Sequence, residues 1–177
     1  MEHFLVLSAL GADRTGIVDE LARAASEARC NIADSRMIVM GQEFALIMMV
    51  CGTWDAIAKL EAQLPNLGKR LGLAVISKRT EPRPAQTDAM PYEVHVIALD
   101  NPGIVHEIAN FFAAHGINID AMETSAYAAP HTGSPMFALS MTVNIPSARV
   151  HLATLRENFL IFCDDRNLDA IIEPLKN

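Results

Sequence analysis

Asp13-Arg14-Thr15-Gly16-Ile17-Val18-Asp19-Glu20-Leu21-Ala22 returns as Asp100-Asn101-Pro102-Gly103-Ile104-Val105-His106-Glu107-Ile108-Ala109, 87 residues further along. The register continues without a gap to Cys30-Asn31-Ile32 and Ile117-Asn118-Ile119, so a whole structural unit is duplicated, not a short motif. In 177 residues this divides the chain into two small domains, expected at 1–79 and 92–177. Between them Pro82, Pro84 and Pro91 stand among polar residues, and 80–91 reads as a semi-extended linker.

Each copy has the same order of elements. Before the repeated stretch, residues 3–10 form an apolar run too short for a typical helix, which reads as a buried strand. Ile17, Val18, Leu21, Ala24, Ala25 and Ala28 then fall on one stripe at helical period. Ile104, Val105, Ile108, Phe111, Phe112 and His115 fill the same places with bulkier groups. Gly116 is placed to end its helix in the left-handed conformation, where the first copy has Arg29.

Residues 31–40 and 43–51 read as strands joined by a tight turn at Gly41-Gln42. In the second copy the corresponding hairpin is longer, since Phe44-Ala45-Leu46 matches Phe137-Ala138-Leu139 at an offset of 93 rather than 87. The extra length falls within 128–135. Each unit closes with a helix, Trp54 to about Leu64 and Ala148 to about Cys163, and a last strand, 73–78 and 168–174. Strand-helix-strand-strand-helix-strand with right-handed crossovers gives a four-stranded antiparallel sheet with both helices on one face. The expected class is α+β, two ferredoxin-like units in tandem.

The third strands differ. Phe137, Leu139, Met141 and Val143 alternate with Ala138, Ser140 and Thr142, as in a strand with one exposed face, whereas 44–50 is apolar on both faces. Either another domain or subunit covers the first sheet on the side away from its helices, or this is an ordinary central strand in a well-covered sheet. With 51% hydrophobic and 20% charged residues, the composition favours copies that pack on each other and dimerise further.

A net charge of −7 opposes the electrostatic attraction that supplies most nonspecific nucleic-acid affinity. No stretch approaches the ~20 apolar residues of a membrane span, and no signal peptide opens the chain, so a cytoplasmic protein is expected. Cys30, Cys51 and Cys163 are odd in number and widely spaced, which suits reduced packing residues.

The repeated Asp-x-x-Gly puts a carboxylate at a strand end and a glycine at a helix start, where backbone N–H groups lack intrahelical partners. Such a loop can hold a free carboxylate on its amides. Equally, Asp13 and Asp100 can simply cap the helices while the glycines turn the chain. Asn31 and Asn118 can likewise close their own turns or offer donors and an acceptor to a ligand. No nucleophile–base pair, phosphate loop, metal motif or paired carboxylate has recognisable spacing, so no catalytic residue, metal ligand or cofactor is expected. His131-Thr132-Gly133-Ser134 is first a turn between Pro130 and Pro135, with partner contact as a second use.

The paired Asp-x-x-Gly-Ile-Val and Asn-Ile segments in this frame resemble the ACT domain, an amino-acid-sensing module, over nearly the whole chain. Gly11–Val18, Asn31–Met37, Gly41–Phe44, Leu155-Arg156 and Phe162–Asp164 more narrowly resemble the glycine cleavage repressor group of tandem ACT proteins. That resemblance implies a cytoplasmic regulator that contacts a DNA-binding activator rather than DNA, with glycine or a similar amino acid relieving the contact. The ligand-facing positions it implies are Asp13, Gly16, Ile17 and Asn31 in one copy, and Asp100, Asn101, Gly103, Ile104 and Asn118 in the other. Thr15 departs from the proline common in relatives, which Pro102 keeps. A ligand-free interaction scaffold and an enzyme of unrecognised type are the alternatives.

Overall fold

The structure, a computed structural model, describes residues 2–83, 89–146 and 150–175. The chain divides into two units, Met1–Pro84 and Ala85–Asn177. The first unit contains β1 (His3–Ala12), α1 (Ile17–Glu27), β2 (Asn31–Met40), β3 (Glu43–Gly52), α2 (Trp54–Leu71) and β4 (Ala74–Thr80). The second contains β5 (Ala89–Leu99), α3 (Ile104–Ala114), β6 (Asn118–Ala128), β7 (Pro135–Pro146), α4 (Leu152–Asp164) and β8 (Asp169–Pro174). Strand orders are β2-β3-β1-β4 and β6-β7-β5-β8, antiparallel throughout. This is the expected ferredoxin-like βαββαβ fold, twice.

The cores follow from strand alternation. Leu5, Leu7 and Ala9 of β1 and Phe44, Leu46, Met48 and Val50 of β3 face the helices, where Ile17, Leu21, Ile57 and Leu60 meet them. The second unit repeats this with Val94 and Val96, Leu139, Met141 and Val143, Ile108, Phe112 and Phe159. Val18 and Val105 leave the expected stripe and are exposed, because their positions lie past its edge, and His115, also expected on the stripe, is exposed at the C-cap of α3.

Three boundaries depart from expectation. Helix α2 runs through Pro65 to Leu71, seven residues past its expected end. An interior proline costs about 3 kcal/mol. Burying Leu67 and Leu71 one and two turns beyond Leu64 returns about 1.5–3 kcal/mol each and outweighs it. Gly68 permits the approach, since a Cβ there would sit 2.9 Å from the Leu73 carbonyl oxygen and 3.0 Å from Val75. Helix α4 starts at Leu152, and the expected start at Ala148 lies outside the described residues. Strands β4 and β5 reach Thr80 and Ala89, shortening the expected linker at both ends.

The inserted hairpin is a compact turn, closed by Ala129 N–H to the Ser134 carbonyl at 2.9 Å and Gly133 N–H to the Ala129 carbonyl at 2.9 Å. All three cysteines are free and buried, and burial pushes the Cys163 thiol up to about 12, leaving it protonated and unreactive.

Candidate functional site

The loops between β1 and α1 and between β5 and α3 share one geometry. Gly16 is the N-cap of α1 at φ 93° and ψ −4°, and Gly103 caps α3 at φ 107° and ψ −18°. These are left-handed conformations that glycine takes without strain. Neither helix start carries a side-chain cap, so Asp13 and Asp100 are not capping residues. The reason lies in spacing. Each aspartate precedes the N-cap by three residues and is held instead through its backbone, Asp13 N–H donating to Gln42 O and Asp100 N–H to Pro135 O, both at 2.9 Å.

A Cβ added at Gly16 or Gly103 would meet no atom within 4 Å, so the space over each glycine is open. Both aspartates are exposed beside it. Arg14 fixes the first loop to the end of α2 by donating to the Leu71 carbonyl at 3.3 Å. Asn101 fixes the second by donating to Leu99 O at 3.2 Å. Ile17 and Ile104 are 2% and 5% exposed and belong to the cores, so only their backbone amides can face a ligand. The helical stripe that places them inside was legible in the sequence.

Asn31 and Asn118 do not join these loops. Within the first unit Asn31 pairs with Cys51 at the end of β3, and Cys51 with Phe4, whereas the loop leaves β1 beside Glu43 at the start of β3. Eight steps along β3 at ~3.4 Å each separate the two ends by about 27 Å. The second unit is laid out alike, with Asn118 opposite Asn144 and the loop beside Pro135. Thus each unit offers two separate groups of candidate residues, one at each end of its sheet.

At the asparagine end the units differ. Asn118 donates to Asp120 at 3.0 Å and to the Ile119 carbonyl at 3.3 Å, and Asn144 also donates to Asp120. Asp120 lies in the bulge between Ile119 and Ala121, and the matching bulge of the first unit holds Ala33. Asp120 and Asn144 escape sequence reasoning because only the cross-strand register brings them to Asn118.

The helix pair of each unit is tied by equivalent charges. Glu20 bonds Arg70 at 2.9 Å and also pairs with Arg23, while Glu107 accepts from Arg166 at 2.8 Å. Partial burial pushes the Glu20 carboxyl up, but the Arg70 hydrogen bond and the charges of Arg23 and Arg70 outweigh it and hold the group below the usual range. Among the described residues no polar or charged side chain is buried, and no group of three His, Cys, Asp or Glu is placed to hold a metal. No described helix is long and apolar enough to cross a membrane.

A family model described as the ACT domain matches residues 3–77, the first unit. The glycine cleavage system transcriptional repressor of Escherichia coli (strain K12) is 34% identical over 171 residues, 97% of this chain and 90% of that protein. The chain belongs to the glycine cleavage system transcriptional repressor family. A repressor of the same description from Shigella flexneri matches equally. Among solved structures, one provisionally assigned as a glycine cleavage system transcriptional repressor is 32% identical, with a TM-score of 0.76 over 100% of this chain and 99% of that one. A Galdieria sulphuraria protein is 26% identical, with a TM-score of 0.79 over 99% of this chain and 100% of that one. Family membership thus extends over both units and both loops.

Proposed function

We propose that the chain is a non-catalytic, amino-acid-responsive regulator of glycine cleavage that acts in the cytoplasm by contacting a DNA-binding activator protein. The observation that carries this reading is the match to a transcriptional repressor over 97% of the chain. The site chemistry supports it: each loop offers open backbone amides beside the left-handed glycine and an exposed carboxylate three residues before it. The carboxylate of a free amino acid would take the amides and the positive end of the helix dipole, and its ammonium would take Asp13 or Asp100. A small ligand such as glycine fills such a loop without needing a side-chain pocket. The chain's net charge of −7 suits protein contact over direct contact with nucleic acid.

Asn31 and Asn118, about 27 Å away along the sheet, are proposed as a second group of contacts that does not share a loop's ligand within one unit. That separation also favours a second reading, a ligand-free interaction scaffold. Thermal unfolding of the full chain against millimolar amino acids, glycine and serine included, distinguishes the two. A ligand at 100 times its dissociation constant stabilises by about 2.7 kcal/mol, a rise of roughly 5–10 °C. A selective rise supports the sensor, and a flat panel supports the scaffold.

A further inference from the structure

The first sheet carries α1 and α2 on one face, and its other face presents apolar side chains. Ile47, Ile76 and Leu10, on three adjacent strands, are 52%, 71% and 54% exposed. The second unit is an internal control, because it has the same fold and the same register. Where the first sheet has Val6, Ile47 and Met49 on this face, the second has Glu93, Ser140 and Thr142. Ile76 and Leu10 keep exposed apolar counterparts there in Ile171 and Ile97, so the copies differ at the centre of the face, which is apolar in the first sheet and polar in the second. The fold therefore does not require an apolar centre, and its presence in one copy marks an interface.

We propose that two copies of this chain dimerise face to face through the open face of the first sheet, about a two-fold axis running along its strands. The order of side chains across the sheet selects a second copy as the occupant. One row reads Asp34, Met49, Val6, Lys78 across β2, β3, β1 and β4. A two-fold along the strands superposes the row on its own reverse. Asp34 then faces the second copy's Lys78, Met49 faces its Val6, and both contacts occur twice.

The next row, Arg36, Ile47, Ser8, Ile76, brings the Arg36 stem over the second copy's Ile76 and Ile47 beside the axis. Asp34 already pairs with Arg36 along β2, so the second copy's Lys78 extends that pair into a string of alternating charge. Sheets pack about 10 Å apart, within the joint reach of an aspartate and a lysine. Aligned sheets cross at about 30°, which shifts the edge strands, about 7 Å from the axis, by roughly 4 Å, and a lysine stem absorbs that. The second sheet cannot form the same contact. Its matching row is Ala121, Thr142, Glu93, Glu173, which would oppose Glu173 with alanine and bury Glu93. This inference stands independently of the proposed ligand and regulatory role.

Sedimentation equilibrium of the full chain between about 1 and 100 μM tests it. A dimer is expected in the wild type, and Ile47→Asp, an exposed position, should leave a folded monomer by circular dichroism. Asp34→Lys and Lys78→Asp should each weaken the dimer about tenfold by opposing like charges, and the double variant should return to within about threefold of wild type. Ser140→Asp, at the equivalent place in the second sheet, should change nothing. A wild-type monomer at every concentration, a dimer indifferent to Ile47→Asp, or a double variant no better than the single ones would overturn the proposal.

Discussion

The two units share topology, register and loop geometry, yet they build their helical layers from opposite materials. Helix α1 presents Ala24 and Ala25 where α3 presents Phe111 and Phe112. The small side chains of α1 are matched by a long α2 of 18 residues, and the large ones of α3 by a shorter α4 of 13. In the second unit the space is filled by rings: Phe112 lies 5.1 Å and Phe111 5.2 Å from Phe159, and the exposed His115 ring lies against Phe111 at 4.4 Å, tilted by 33°. One fold thus closes with an alanine seam or an aromatic wedge. The core needs volume and apolarity, not particular residues.

The comparison breaks most visibly where the rings are removed. Phe112→Ala should cost about 3–5 kcal/mol in denaturant unfolding, since the ring is fully buried among others. The converse change, Ala25→Phe, adds a ring to a seam already closed and should cost about 1–3 kcal/mol. A loss below about 1 kcal/mol for Phe112→Ala would show that the aromatic wedge is not the core of its unit.

The helix ends sharpen the comparison at smaller scale. Arg29 adopts φ 62° where the second unit uses Gly116 at φ 68°. Arg29→Gly should therefore stabilise the first unit by up to about 1 kcal/mol, and Gly116→Arg should destabilise the second by about 1–2 kcal/mol. A Cβ at Gly116 meets nothing within 4 Å, so the cost there is backbone strain alone. Equal melting curves for both variants and the wild type would contradict this account of the helix ends.

The smallest effect concerns the charges joining the helices. Glu20 has a carboxyl held below its usual range by Arg70 and Arg23, so its contribution is present above the unfolded value of 4.5 and is lost as pH falls through the folded one. Glu20→Gln should lower the melting temperature slightly at pH 7, and the difference should vanish in acid. A difference that persists unchanged in acid would mean that the side chain's shape, not its charge, is what matters.

Most of the fold was legible because the duplication supplied two independent readings of each element. Apolar period fixed α1 and α3, and Gly41-Gln42 fixed the first hairpin. The extension of α2 was not legible, since Pro65 signals a stop and only tertiary burial of Leu67 and Leu71 overrides it. At the candidate site, the burial of Ile17 and Ile104 could have been taken from the same stripe that defined the helices. The distance between Asp13 and Asn31 follows from topology rather than composition: α1 carries the chain the length of the sheet before β2 begins. The Asn118–Asp120–Asn144 group depends on a bulge that no residue type announces.

Titration calorimetry of glycine into the wild type and into Asp13→Ala/Asp100→Ala tests the central claim most directly, because both aspartates are exposed and neither caps a helix. The account predicts saturable binding to the wild type and at least about tenfold weaker binding to the double variant, with unchanged unfolding of the free protein. Binding of undiminished affinity in the double variant, or no heat with the wild type, would contradict it.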